Sequence, residues 1–386
     1  MTYLSRLTKL GLAKEGTAYT YTVPTFSVAW NTAKFSDAIV PLRDESMRAN
    51  DVKLQGLNQG PWTTTWDLEC NGYPDLLGHL LRGIVGPDVV TPGVSTTLAS
   101  NCSAGATTLS LTASVASNST IQISDATGVN LEWVGVGTVT GAGPYSAPVT
   151  TPAAGTRFAH TAAGGSVISQ STHVFTQNRT FSTVWPTYSF TTDDGQDQLG
   201  WPGQMVTELG IKIDPKGFIT VSPKYMGFPS ATQSTFAYAA STVQPVVGWG
   251  WTVSNPGAST RGLTMDITLK RQVEAIQTSD GTQAPREIFP GPLEIDGSYK
   301  AVYDNASDMN NFKQYLQGVT THLLTQPVTS GGQSLQVTMS KSGYTTGEAE
   351  TGSLYVSLAQ AVAGIGNTTD SGVTTVTLKN YLSAAY

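Results

Sequence analysis

The pattern that most restricts how this chain can fold is one that occurs twice. Residues 60–86, GPWTTTWDLECNGYPDLLGHLLRGIVG, open on Gly-Pro and alternate as a strand. They then pass into an apolar-periodic run with Leu76, Leu77, Leu80, Leu81 and Ile84 on one helical face. Residues 291–319, GPLEIDGSYKAVYDNASDMNNFKQYLQGV, do the same, with Met309, Phe312, Tyr315, Leu316 and Val319 on one face. Both helices have start signals, Pro74 in the first and Asn305 or Ser307 in the second. Downstream, the hairpin-like ELGIKIDPKGFITVSPKYMG is expected to correspond to YVSLAQAVAGIGNTTDSGVTTVTLKNYL. A sequence that repeats strand then helix in this way is read as two tandem copies of one mainly β domain, each with one flanking helix.

The first copy is interrupted. Between Val89 and Thr192 the only charged side chains are Asp125, Glu132, Arg157 and Arg179. Within that stretch ATTLSLTAS, STIQISD, LEWVGVGTVTG and YSAPVTTP alternate between Gly, Pro, Asn and Ser turns. A small all-β insertion over 91–170 is the expectation, with TPAAGTRFAHTAAGG as its exit linker. The first domain then comprises 1–90 and 171–228, with an N-terminal arm over 1–22, and the second 229–386, each of ordinary domain size.

Composition narrows the function. Charged residues make up 12% of the chain, about half the usual share, and the net charge is −6. A protein without a basic stripe does not hold nucleic acid by its phosphates. No run of 18 apolar residues offers a membrane helix. The start, MTYLSRLTKLGLAKEG, lacks the apolar core of a secretory signal, so the expectation is synthesis in the cytoplasm without export. Cys70 and Cys102 are then expected as free thiols.

Chemistry-bearing constellations are few. His79, His160, His173 and His322 are scattered, none at a metal-ligand spacing. No nucleophile elbow, phosphate loop or dinucleotide fingerprint is present. In TTDDGQDQ, Asp193, Asp194 and Asp197 lie close together, but not at the spacing of a calcium loop, and are read as a solvated turn. The expectation is a protein that is not an enzyme and has neither catalytic residues nor a cofactor.

LGLAKEGTAY, VPLRDESMRAND, YPDLLGHLLRGIVG and LEIDGSYKAVYDNASDMNNFKQYLQG resemble the tail tube (major tail) proteins of long-tailed, siphovirus-type bacteriophages, in particular versions with a duplicated tube domain. The resemblance covers most of the chain outside the insertion. It implies β-sandwich or barrel domains whose inner sheets join side by side around a ring. Rings stack into a hollow tube through which the genome passes to the host, without specific binding of the DNA. It implies as partners further copies of the chain, three per ring if each supplies two of six tube domains, together with the tape measure protein and tail-end proteins. It places the chain in the virion tail and the insertion on the tail's outer surface. The competing reading is another tail component, such as a baseplate or distal tail protein, or a β-sandwich surface adhesin, which would need an export signal.

Within that frame three sets of residues are expected to matter. The arm, through Leu4, Leu7 and Leu10, docks on an adjacent subunit or ring. Two long connections, 30–51 with Phe35, Ile39, Val40 and Leu42 and 272–291 with Ile276, Ile288 and Phe289, bridge one ring to the next. Alternation puts Asp67 and Glu69, and likewise Glu294 and Asp296, on one strand face, where they would line the lumen with negative charge.

Overall fold

The computed structural model describes residues 7–49, 51–125, 130–163, 165–177, 185–233, 236–239, 244–255, 258–260, 262–303, 310, 312–313, 320–325, 333–351 and 354–386. The chain is mainly β. It begins with strands β1 (Lys9–Lys14), β2 (Phe26–Ser27), β3 (Thr32–Asp44) and β4 (Gly56–Asn71), helix α1 (Pro74–Ile84) and strand β5 (Asp88–Thr91). Six short strands follow: β6 (Ser95–Thr96), β7 (Thr108–Leu111), β8 (Thr120–Ser124), β9 (Leu131–Val136), β10 (Tyr145–Thr151) and β11 (Ser166–Ser169). Then come β12 (Ser171–Phe175), β13 (Tyr188–Asp193), β14 (Gln198–Ile213), β15 (Thr220–Gly227) and β16 (Ala231–Thr232). The last part holds β17 (Thr252–Asn255), β18 (Ala258–Thr260), β19 (Gly262–Ile276), β20 (Glu287–Val302), β21 (Thr320–Thr325), β22 (Ser334–Glu350), β23 (Ser357–Gly364) and β24 (Thr375–Asn380).

Eight of these strands run side by side as one antiparallel series, β3-β4-β15-β14-β19-β20-β23-β22. The first four and the last four have the same internal plan: a long hairpin, then a second hairpin attached through its later strand. The hairpin β14–β15 therefore corresponds in position to β22–β23. This corrects the expected match of 208–227 with 355–382: the partner of β14 is β22, which begins earlier, at Ser334.

The two halves also share their irregularities. The β3–β4 register shifts between Ile39 and Pro41, opposite Gly60-Pro61, and the β19–β20 register shifts between Arg271 and Val273, opposite Gly291-Pro292. Glycine is required at both places by close backbone approach. A Cβ on Gly60 would lie 2.5 Å from the Val40 carbonyl oxygen, and one on Gly291 2.8 Å from that of Gln272. A second shift skips Thr207 in β14 and Thr345 in β22, each against its hairpin partner.

Strand alternation determines which face of the series is covered. In β4, Trp66, Leu68 and Cys70 are buried while Thr65, Asp67 and Glu69 are exposed. The inward side chains meet a second layer made of β1, β2, β13, α1 and the β5-β12-β24 group. At its centre Trp66 stacks on Phe190 at 5.1 Å and meets Trp201 edge-on at 4.7 Å. Burial among these groups pushes the Cys70 thiol up to about 12, and Cys70 and Cys102 are both free.

Helix α1 forms as the sequence predicts, with Pro74 in the first turn and Leu76, Leu77, Leu80, Leu81 and Ile84 all buried. The helix expected over 309–319 lies largely outside the described residues; of it, Phe312 meets the Tyr344 ring edge-on at 6.3 Å. On α1, His79 sits among the rings of Phe26, Tyr188 and Tyr386. Burial, reinforced by the Lys14 and Arg82 charges, pushes its imidazole down to about 4. That is below the value of about 6.5 for an unfolded histidine, so the unfolded chain takes up the proton first. Stability is expected to fall by about 3 kcal/mol as pH drops from about 6.5 to about 4, with no further loss from this group below that. Comparing His79→Phe with the parent by urea unfolding at neutral pH and at about pH 4.5 isolates this contribution, because the other acid-sensitive groups cancel.

The arm departs from expectation. Leu10 and Leu12 are 1% exposed inside the chain's own core, because β1 pairs along its whole length with β13. Glu15 is held just beyond it. Its buried carboxylate accepts hydrogen bonds from the Tyr19 and Gly203 amides at 2.8 and 2.7 Å, and from the Thr187 and Ser189 hydroxyls at 2.5 and 2.7 Å. Leu10 is thus not available to a neighbour. Leu7 remains 72% exposed, and Leu4 lies outside the described residues.

Residues 95–169 form a six-stranded sheet in the order β6-β11-β8-β9-β10-β7. It curls back on itself through a Leu98–Leu111 bridge, and Leu109, Leu111, Ile121, Ile123, Val134 and Val167 make a core separate from that of the body. The expected exit linker is folded into this module. The His160 ring nitrogen lies 2.6 Å from the buried Glu132 carboxylate, which also accepts the Arg157 and Phe158 amides. The module leaves the body through one pair of neighbouring strands, β5 and β12, and the Ser169 amide bonds the Val94 carbonyl at 2.9 Å. Replacing 95–168 with a short Gly-Ser link is therefore expected to leave the melting temperature of the body within about 3 °C, as read by scanning calorimetry.

Candidate assembly surface

The surface of interest is built from the edges and the uncovered face of the eight-stranded series. Its centre is a seam inside the chain, where β14 of the first half pairs with β19 of the second. The residues opposite one another are Glu208 and Lys270, Leu209 and Leu269, Ile211 and Ile267, Lys212 and Asp266, and Ile213 and Met265. Apolar pairs point inward and opposite charges pair on the outside, as a stable antiparallel junction requires. Arg271 fastens the seam from below. Its guanidinium donates to the Ile84 carbonyl at the end of α1 at 3.2 and 3.1 Å and to Gly291 at 2.5 Å, and it lies 4.1 Å from the centre of the Trp185 ring.

The two ends of the series have no such cover. Among the described residues β3 pairs only with β4, and residues 346–350 of β22 pair only with β23. The difference shows in equivalent side chains. Counting from the shared register shift, Phe35 and Ile39 in β3 occupy the positions of Ile267 and Arg271 in β19. Ile267 is 1% and Arg271 5% exposed, whereas Phe35 is 44% and Ile39 38% exposed. The sequence reading made 30–51 a connecting loop. It is instead mostly strand, and the alternation of Ala33, Phe35 and Ile39 with Lys34, Ser36 and Ala38 was the signal for it.

The uncovered face carries the four carboxylates singled out by alternation, and all are exposed. They do not form an acidic patch. A single row crosses six strands, from Lys34 through Asp67, Lys224, Glu208 and Lys270 to Glu294, each opposite the next. The Lys224–Glu208 pair closes to 2.9 Å. Cation and anion alternate along this row, so Asp67 and Glu294 are each flanked by lysine. The lysines belong to strands distant in sequence, which is why the sequence showed the acids alone. Asp67 and Glu69 stand seven and nine residues beyond Gly60, Glu294 and Asp296 three and five beyond Gly291. With the glycines equivalent, the two acidic pairs are offset by four residues and do not occupy corresponding positions in the two halves.

The long hairpins project their apolar residues at their far ends. Val40 and Leu42 are 53% exposed, and Ile276 and Phe289 are 39% and 48% exposed. Ile288 is fully buried with Trp185 and Met205, so it is not a contact residue. The hairpins touch each other where the Trp62 amide donates to the Gln283 carbonyl at 2.9 Å. The TTDDGQDQ turn is closed by its own bonds. Asp193 pairs with Lys9 at 3.0 Å and accepts the Gly195 amide, while Asp194 accepts the Gln196 and Asp197 amides. Among the described residues no cluster of three or more His, Cys, Asp or Glu is placed to hold a metal, and no helix is long and apolar enough to cross a membrane.

A family model described as phage tail tube protein matches residues 5–370. The chain belongs to the phage tail tube proteins. No individual curated protein matches it. As a tail tube protein it is a structural component of the virion tail, and the family self-assembles into a tube. Among the described residues, the edges β3 and β22 and the outer face of the series are what the fold of this tail tube protein leaves uncovered.

Proposed function

We propose that this chain is the subunit of a siphovirus-type tail tube that closes rings of three copies, each copy supplying two equivalent four-strand units. The observation that carries the reading is the repetition of strand order together with both irregularities, at Gly60 and Gly291 and at Thr207 and Thr345. Rings then alternate a seam within the chain, β14 with β19, and one between chains, β22 with β3 of the next copy. The covalent link supplies half the seams at high effective concentration, and closure removes both open edges.

In this arrangement the uncovered face lines the lumen. Its alternating charges, including Asp67, Glu69, Glu294 and Asp296, present DNA with neither a basic track nor an apolar patch, and the genome passes without sticking. Leu7, Val40, Leu42, Ile276 and Phe289 serve the contact between stacked rings, and the insertion projects outward, three per ring. The tape measure protein fills the lumen before ejection and tail-end proteins cap the stack. Native mass spectrometry of a single ring, or a reconstruction without imposed symmetry, tests the proposal. Three chains per ring are expected, and six would overturn it. Isolated rings that never stack would favour a distal tail component.

A further inference from the structure

We infer that the seam between chains uses the same register as the seam within the chain but with its charge pair reversed, and that this reversal dictates which edge joins which. The inference rests on the tube reading above and adds the residues that recognise the partner, a second copy of this chain. Five residues past Thr207 stands Lys212, and five past Thr345 stands Glu350. Six residues before Gln272 stands Asp266, and six before Val40 stands Lys34. Within the chain Lys212 faces Asp266. Carrying that register to the open edges sets Glu350 of one copy opposite Lys34 of the next. One residue earlier in β22, Ala349 meets Phe35 where Ile211 meets Ile267 inside the chain. A small side chain thus faces a large one, in place of two of medium size.

The reversal has a consequence for pairing. If β14 met β3 of another copy, Lys212 would face Lys34. If β22 met β19, Glu350 would face Asp266. Both wrong junctions set like charges directly opposite, whereas both right ones set opposite charges. Because β14 and β19 already meet inside each chain, units of the two kinds alternate around the ring, and the charges guard that order against swapped junctions in which the internal seam opens. The feature is available for recognition, since Lys34 is exposed and Glu350 is about half exposed, where its carboxylate pairs with Lys300 on the same face. On docking, Glu350 would sit between Lys300 of its own chain and Lys34 of the next, extending the alternating row across the boundary.

The test is a charge exchange read on purified full-length chain. Glu350→Lys and Lys34→Glu, each alone, are expected to leave the melting temperature of the unassembled chain nearly unchanged and to raise the critical concentration for tube formation about tenfold. Combining the two in one chain is expected to restore assembly, whereas mixing the two single variants restores it only in part, because a mixed ring of three keeps one like-charged junction. A double variant no better than the singles, or singles that assemble like the parent, would overturn the inference. Register is checked separately with Glu350→Cys combined with Lys34→Cys, which is expected to form interchain disulfides that run on denaturing gels up to a closed trimer. Crosslinks that instead reach a hexamer would reject the ring proposal while keeping the register. Assembled trimeric rings without crosslinks would reject the register while keeping the ring.

Discussion

Phe35→Asp is expected to yield a folded chain that does not polymerise. In the isolated subunit Phe35 is 44% exposed, so an aspartate there reaches water, and the loss is confined to its ring contacts with Trp66 at 5.0 Å and Trp201 at 4.8 Å. That costs about 2 kcal/mol. In a joined edge the same carboxylate would lie under a neighbouring strand and away from water, which is the inward-charge device by which natural edge strands avoid pairing. The critical concentration should rise by about a hundredfold or more. Sedimentation and electron microscopy should find monomers with parent-like circular dichroism; tubes at the parent's concentration would show that β3 is not an assembly edge.

The same substitution at the equivalent position within the chain should have a different result. Ile267→Asp places a charge at a site 1% exposed, opposite Ile211 and beneath the intact seam. The expected loss is about 4 kcal/mol or more, enough to leave much of the chain unfolded at physiological temperature. The measurement is urea unfolding followed by tryptophan fluorescence, on chain kept below its assembly concentration. The pair of variants separates two roles of one position: in the second half it holds the monomer together, in the first half it awaits a partner. Equal destabilisation of both would contradict the difference in exposure on which the assembly surface rests.

Much of this was legible in the sequence because it depends on local spacing. Helix α1 followed from Leu76, Leu77, Leu80, Leu81 and Ile84, and the paired Gly-Pro steps pointed to equivalent places that prove to be close backbone approaches. What was missed depends on strands meeting at a distance. Leu10 looked spare because the long partner of its strand, β13, lies almost two hundred residues later, and only the two-residue β2 is close in sequence. Ile288 and Phe289 are adjacent and both apolar, yet opposite strand faces bury one and expose the other. The carboxylates read as an acidic lining because Lys34, Lys224 and Lys270 enter the row only through cross-strand register. A period of two says that a strand has two faces; it does not say what stands beside either one.

Among the described residues the insertion hangs from the body by β5 and β12, with Val94 and Ser169 hydrogen-bonded to each other at its base. The body thus needs from its passenger only two chain ends a few ångströms apart. Any compact domain whose termini lie side by side meets that demand, be it an enzyme, an antibody fragment or a fluorescent reporter. Each ring would then carry its payload at fixed intervals, and tail length would set the dose.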